Sequence, residues 1–134
     1  MTLTEFVAAR LDEEETAARI AELRFPGPWE TAEAGGGLPG AVDLFAAGDE
    51  ISAAVVRGSY LADYLIRHDP ARVLREVAAK RAILAWWQRG DRDPEGPAPS
   101  PTYENYRKSL PGYQLLLHLA AVWSDHPDYE KVTG

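Results

Sequence analysis

The chain contains no cysteine among its 134 residues. Without thiols it cannot form disulfides, bind a metal through thiolates or use a cysteine as a nucleophile. Its three histidines, His68, His118 and His126, do not show the short spacing of a zinc motif such as H-E-x-x-H. The sequence also lacks a G-x-S-x-G nucleophile elbow and a complete phosphate-binding loop. We therefore predict no catalytic residues, no metal and no cofactor.

Long apolar runs and an excess of basic residues are also missing. No segment is apolar enough to span a bilayer, and the first residues lack the pattern of a signal peptide, so we expect a cytoplasmic protein without membrane contact. The formal net charge is −7. Because affinity for phosphates comes from clustered Lys and Arg, this charge argues against a general nucleic-acid surface. A nucleic-acid-associated regulator is therefore the weakest of the functional hypotheses.

The composition is that of an ordinary globular protein. Hydrophobic residues make up 46% of the chain and charged residues 26%, which is typical of a soluble globular domain. A chain of this length supports one core, so we predict a single domain over residues 1–134. The segment 91–101 carries four prolines and a glycine and no core-forming side chains. It predicts an insert loop within that domain.

Local patterns predict the elements of the first half of the chain. Thr2 and Glu5 match a capping box and begin an amphipathic helix that extends to about Leu23. Two apolar runs, 41–46 and 51–56, predict a β-hairpin whose apolar face packs on helices. A short helix capped by Ser59 should follow.

The second half of the chain predicts helices throughout. Asp69 caps and Pro70 begins the longest helix, which extends to Arg89. Residues 102–110 should form one or two helical turns. Residues 113–123 predict a helix that is apolar almost all round and should be the most buried element. His118 would then be a hydrogen-bonded histidine in the core. The polar tail should cross the surface. The fold class is α+β, with four or five helices in the core and a small antiparallel hairpin.

Two short segments carry a resemblance to a known family. Residues 67–74 read R-H-D-P-A-R-V-L and residues 125–129 read D-H-P-D-Y. With these motifs the chain resembles an uncharacterised family of small proteins from actinobacteria and their phages, a domain of unknown function with no assigned activity. Relatives commonly have a histidine one helical turn before the first motif, where this chain has Tyr64, so the resemblance implies that a histidine pair is lost here. The motif residues are His68, Asp69, Pro70, Arg72, Asp125, His126, Pro127 and Tyr129.

Clustered aromatic residues supply the leading functional hypothesis. Trp86 and Trp87 are consecutive, so on a helix their side chains point about 100° apart, and a small core rarely covers both directions. We expect one of them to be exposed or bound to another chain. The hypothesis is a non-enzymatic accessory or regulatory protein that binds a partner protein or a second copy of itself. The interaction residues would be Ile83, Trp86, Trp87, Tyr103 and Tyr106.

Two alternatives oppose this hypothesis. In the first alternative, the protein has no contact surface, and the five interaction residues named above all pack in the core. A different class of function, a metal-dependent hydrolase or nuclease, would use the polar residues of the two family motifs. Its ligands or catalytic groups would be His68, Asp69, Asp125 and His126.

Overall fold

Helices make up most of the chain, and a small sheet follows the first of them. The computed structural model describes residues 1–33, 40–46, 52–89 and 101–134. The elements in this part of the chain are α1 (Leu3–Arg24), β1 (Trp29–Glu33), β2 (Ala41–Ala46), β3 (Ser52–Arg57), α2 (Ser59–Arg67), α3 (Pro70–Arg89), α4 (Pro101–Lys108), α5 (Pro111–Ala120), a 3₁₀ turn (Ala121–Trp123) and α6 (Tyr129–Thr133). The α+β class with a small antiparallel sheet is confirmed.

The described residues group into two compact units. The terminal unit comprises Met1–Glu13 and Ala78–Gly134, and the central unit comprises Glu14–Val77. Each unit has buried apolar side chains of its own. Those of the terminal unit include Leu3, Phe6, Val7, Leu11, Leu84, Trp87, Leu116 and Ala120, and those of the central unit include Ala18, Ala41, Leu44, Ala46, Ala62 and Val77.

The sheet of the central unit has three strands where the sequence predicted two. β2 is the middle strand and pairs antiparallel with both neighbours, with Trp29 opposite Ala46 and Ala41 opposite Arg57. The predicted hairpin is therefore present, although its turn and Ile51 lie outside the described residues. The missed strand is β1. Its sequence is largely polar, and pairing with β2 supplies the regular structure that its own pattern does not indicate.

Local features of the sequence determine where each of the two helices that follow the sheet begins. α2 begins after Gly58, whose φ of 88° is in the left-handed region that favours glycine, and no side chain caps it. The predicted cap at Ser59 is wrong because Ser59 is the first helical residue. α3 begins at Pro70 and ends at Arg89, as predicted, but with 20 residues it is shorter than α1, which has 22, so the prediction that it is the longest helix is wrong. On its exposed face Arg72 donates to Glu76 one turn later at 2.8 Å.

The last helices differ most from expectation. α5 was predicted to be the most buried element, but of its residues only Leu116 and Ala120 are buried, and His118 is exposed. These two residues are four positions apart, so the helix fully buries a single stripe, while Tyr113, Leu117 and Leu119 are half-buried and Leu115 is exposed. The polar tail forms α6, where the ring of Tyr129 lies 6.3 Å from that of Phe6. In the described part of the chain no helix combines the length and apolarity that crossing a membrane requires.

Candidate functional site

An aromatic groove opens on the terminal unit, where α3 ends and where α4 meets the start of α5. Its volume is about 560 Å³. Cavities of this size are in the range that accepts a large side chain or a small ligand. We call it the aromatic groove, and it is lined by Trp86, Trp87, Arg89, Tyr103, Arg107, Leu110, Pro111 and Gly112.

The two tryptophans of the groove have different environments. Trp86 is 55% exposed, whereas Trp87 is 8% exposed and packs with its ring 6.1 Å from that of Tyr113. Consecutive residues of a helix point in different directions, so packing that buries one indole leaves the other near solvent. The prediction that one of the two is exposed is confirmed. The exposed part of the Trp86 side chain is therefore apolar surface that does not pack in the core of the terminal unit.

Glycine at position 112 allows α5 to begin against these indoles. A Cβ atom there would lie 2.7 Å from Cε3 and Cζ3 of Trp87 and 3.2 Å from Cζ3 of Trp86. Pro111 occupies the first position of α5, where a missing N–H group has no cost. In the sequence, the Pro-Gly pair indicates only an interruption between two helical segments. In the structure the pair begins α5 and closes one end of the groove.

Two arginines supply the charge of the groove. The Cζ atom of Arg107 lies 4.6 Å from the centre of the Trp87 ring, in a cation–π arrangement. Arg89, the last residue of α3, also lines the groove and is exposed. Among the described residues that line the groove, the two charged ones are these arginines.

The groove gathers three of the five predicted interaction residues, namely Trp86, Trp87 and Tyr103. Tyr106 is 60% exposed and its ring lies 6.5 Å from that of Tyr103, but it does not line the groove. Ile83 is half-buried and also lies outside the lining. The sequence reasoning missed the other lining residues because only the convergence of three helices brings them together: Arg89, Arg107, Leu110, Pro111 and Gly112.

The first family motif forms the junction between α2 and α3. Nδ1 of His68 donates to the carbonyl of Tyr64 at 2.8 Å, and the two rings stack with their centres 4.4 Å apart. The Asp69 carboxylate is buried and accepts from two backbone N–H groups, that of Arg72 at 2.8 Å and that of Trp29 at 3.4 Å. The predicted cap is confirmed, and the same side chain ties β1 to the start of α3.

The second family motif attaches the C-terminal segment to α1. His126 accepts at Nδ1 from the N–H of Asp128 at 3.1 Å, faces the Arg10 guanidinium with Nε2, and places its ring 5.5 Å from Phe6. Lys131 donates to Asp128 at 2.6 Å and lowers the pKa of that carboxyl below its ordinary value. These bonds hold His126 and Asp128 of the motif within the terminal unit.

The residues of the metal hypothesis are divided between the two units. His68 and Asp69 belong to the central unit, while Asp125, which is exposed, and His126 belong to the terminal unit. Across residues 1–33, 40–46, 52–89 and 101–134 there is no group of three His, Asp or Glu side chains arranged to hold a metal ion. Of the four, His68, Asp69 and His126 bond to neighbouring backbone or side-chain groups.

The model of a family of unknown function, DUF6221, matches residues 1–132. No curated protein and no solved structure matches the chain.

Proposed function

Since the chain belongs to DUF6221, a family of unknown function, we propose its role from its structure: it is an accessory or regulatory protein that binds another protein through the aromatic groove. The observation that carries this proposal is the exposed indole of Trp86 beside a cavity of about 560 Å³. Aromatic and arginine side chains are the residues that most often contribute the binding energy of protein interfaces, and the groove is lined by both. The interaction takes place in the cytoplasm of an actinobacterium or of a cell infected by its phage.

The packing around Trp87 favours binding. Trp87 is fixed between Tyr113, Gly112 and the Arg107 guanidinium, so its position is set before any partner arrives. A partner that binds a fixed surface loses less conformational entropy than one that must order it. The partner therefore inserts a bulky apolar side chain next to Trp86, and the contacts that surround it exclude water.

A comparison of two exposed apolar positions tests the proposal. Trp86→Ser removes the exposed indole, and Val122→Ser is the matched control because Val122 is 59% exposed in the 3₁₀ turn and does not line the groove. Wild type and both variants, immobilised after circular dichroism shows that they are folded, are incubated with lysate of the native host. We expect a protein that wild type and Val122→Ser retain and that Trp86→Ser loses, and that then binds the purified chain with a change in tryptophan fluorescence.

Two outcomes of this experiment would contradict the proposal. If all three proteins retain the same set, the exposed indole has no part in binding. If sedimentation velocity shows that the wild type self-associates and Trp86→Ser does not, the occupant is a second copy of the chain, and binding to a different protein is rejected.

A further inference from the structure

One edge of the sheet in the central unit is formed by β3. The strand order is β1-β2-β3, and in the described part of the chain β3 pairs with β2 alone. An edge strand directs part of its backbone N–H and C=O groups away from its own sheet, where they can bond to another strand. We propose that the β3 strands of two copies of the chain pair antiparallel and join their sheets, in a contact that uses none of the residues of the aromatic groove.

The edge at β3 is open to solvent and carries no charge at its centre. Val55 is 55% exposed, and the single methyl group of Ala54 is exposed as well. Residues 53–56 are all apolar and include no proline, although charges and prolines are what commonly prevent an edge strand from pairing. The register with β2 is irregular only at Ala53, near the start of the strand, so residues 54–57 are regularly paired.

The opposite edge of the sheet is less suited to pairing. β1 carries Glu30 at an exposed position, and a charged side chain on an edge strand opposes pairing with a further strand. The N–H of Trp29, at the start of β1, already donates to Asp69. Pairing of two copies through β3 therefore leaves only β1 at the outer edges, so assembly ends at a two-fold dimer.

The charges beside β3 are self-complementary, which favours a second copy as the occupant. Val55 is opposite Asp43 in the register and shares its face, and Arg57, two residues later, lies on the same face. The Ser52 hydroxyl donates to Oδ1 of Asp43 at 3.1 Å, so this carboxylate lies toward the start of β3. In an antiparallel pair centred on Val55, the end of each strand lies beside the start of the other. Arg57 of each copy then approaches Asp43 of the other copy.

The size of the contact sets its strength. β3 has six residues, and a contact along one such strand is smaller than a permanent interface. We therefore expect a weak dimer with a Kd between about 10 µM and about 1 mM.

Sedimentation equilibrium up to about 1 mM protein measures this association. Val55→Lys places like charges opposite each other at the centre of the pair, and Thr31→Lys adds the same charge at an exposed position of β1. Circular dichroism first shows that both variants are folded. We expect Val55→Lys to weaken association by about fivefold or more and Thr31→Lys to leave it nearly unchanged.

A mixture of two variants tests where the pair is centred. Val55→Glu also places like charges at the centre, whereas an equimolar mixture of Val55→Lys and Val55→Glu places opposite charges there. We expect the mixture to associate more strongly than either variant alone. This rescue requires that Val55 lie opposite Val55 of the other copy.

Disulfide trapping gives an independent measurement, because the chain has no cysteine of its own. Residues directly opposite in an antiparallel pair have Cα atoms about 4.5–5.5 Å apart, within the range that a disulfide bridges. Under mild oxidation, we expect Val55→Cys to form a covalent dimer several times faster than Thr31→Cys.

The failures of this proposal differ from those of the proposed function. A wild type that stays monomeric up to about 1 mM overturns the β3 dimer and leaves protein binding at the groove unaffected. Equal effects at Val55 and Thr31, or a mixture that does not associate better than its components, also overturn it. Trp86→Ser should associate as wild type does, and loss of association in that variant would place the contact at the groove and reject pairing through β3.

Discussion

Asp69 joins two parts of the central unit with one carboxylate. Its Oδ1 accepts from the N–H of Arg72 and satisfies a donor that α3 itself leaves without a partner, while Oδ2 accepts from the N–H of Trp29. The space beside it is tight, because a Cβ atom on Gly27 would lie 3.2 Å from the Asp69 Cγ. Asp69 therefore has a structural role at the junction of β1 and α3.

Replacement of Asp69 by Ala should destabilise the protein by about 1–3 kcal/mol, since it removes a helix cap and leaves two backbone N–H groups without an acceptor in a buried place. Asp69→Asn keeps an oxygen acceptor of nearly the same shape and should lose less. Urea unfolding of both variants measures the difference. Unfolding midpoints of Asp69→Ala and wild type that coincide would show that the cap is not needed.

The start of α1 shows how a helix terminus is stabilised by two residues at once. Thr2 donates its N–H to Oε2 of Glu5 at 2.7 Å, and the N–H of Glu5 donates to the Thr2 hydroxyl oxygen at 3.2 Å. This is the capping box that the sequence predicts. The bonds from the backbone and hydroxyl of Thr2 favour the charged carboxylate and lower the pKa of Glu5 below its ordinary value.

A lowered pKa makes the contribution of Glu5 to stability dependent on pH. The contribution is complete above the pKa of an unfolded glutamate, about 4.3, and is lost as the pH falls through the lower pKa of the folded state. Glu5→Gln can form the same capping box but does not titrate. We expect wild type to lose more stability than Glu5→Gln between about pH 5 and about pH 3, as measured by thermal unfolding. Parallel curves for the two proteins would contradict the assignment of this titration to Glu5.

For the molecule as a whole, the family match does not distinguish a binding protein from a metal-dependent enzyme. The contacts of the side chains are what bear on this choice. Of the residues that would serve an enzyme, His68 bonds to Tyr64, Asp69 to Trp29 and His126 to Asp128. The exposed indole of Trp86 has no comparable role in the core. The balance of these observations favours binding.

Elemental analysis provides the test of that choice for the intact protein. We expect protein purified without chelator to contain transition metals well below one equivalent, and its melting temperature to be unchanged by EDTA. A metal that binds the folded state stabilises it by mass action, so its removal would lower the melting temperature. Near-stoichiometric zinc, manganese or iron, together with such a decrease, would restore the hydrolase hypothesis.

Several features of this protein follow from the sequence because their causes are local. The capping box at Thr2, the helix start at Asp69 and Pro70, and the exposure of one of two consecutive tryptophans each depend on residues within about one helical turn. The strands β2 and β3 were also predictable, since each is a short apolar run near a turn. Local rules suffice for such features.

Other features were decided only by tertiary structure. β1 is a strand because β2 pairs with it, and His118 is exposed because α5 packs along the stripe of Leu116 and Ala120. The groove likewise depends on α3, α4 and α5 bringing Arg89, Arg107 and Gly112 together from separate parts of the chain. Pattern and propensity describe what one segment favours, whereas pairing and packing depend on which segments meet in space, and that is settled by the fold as a whole.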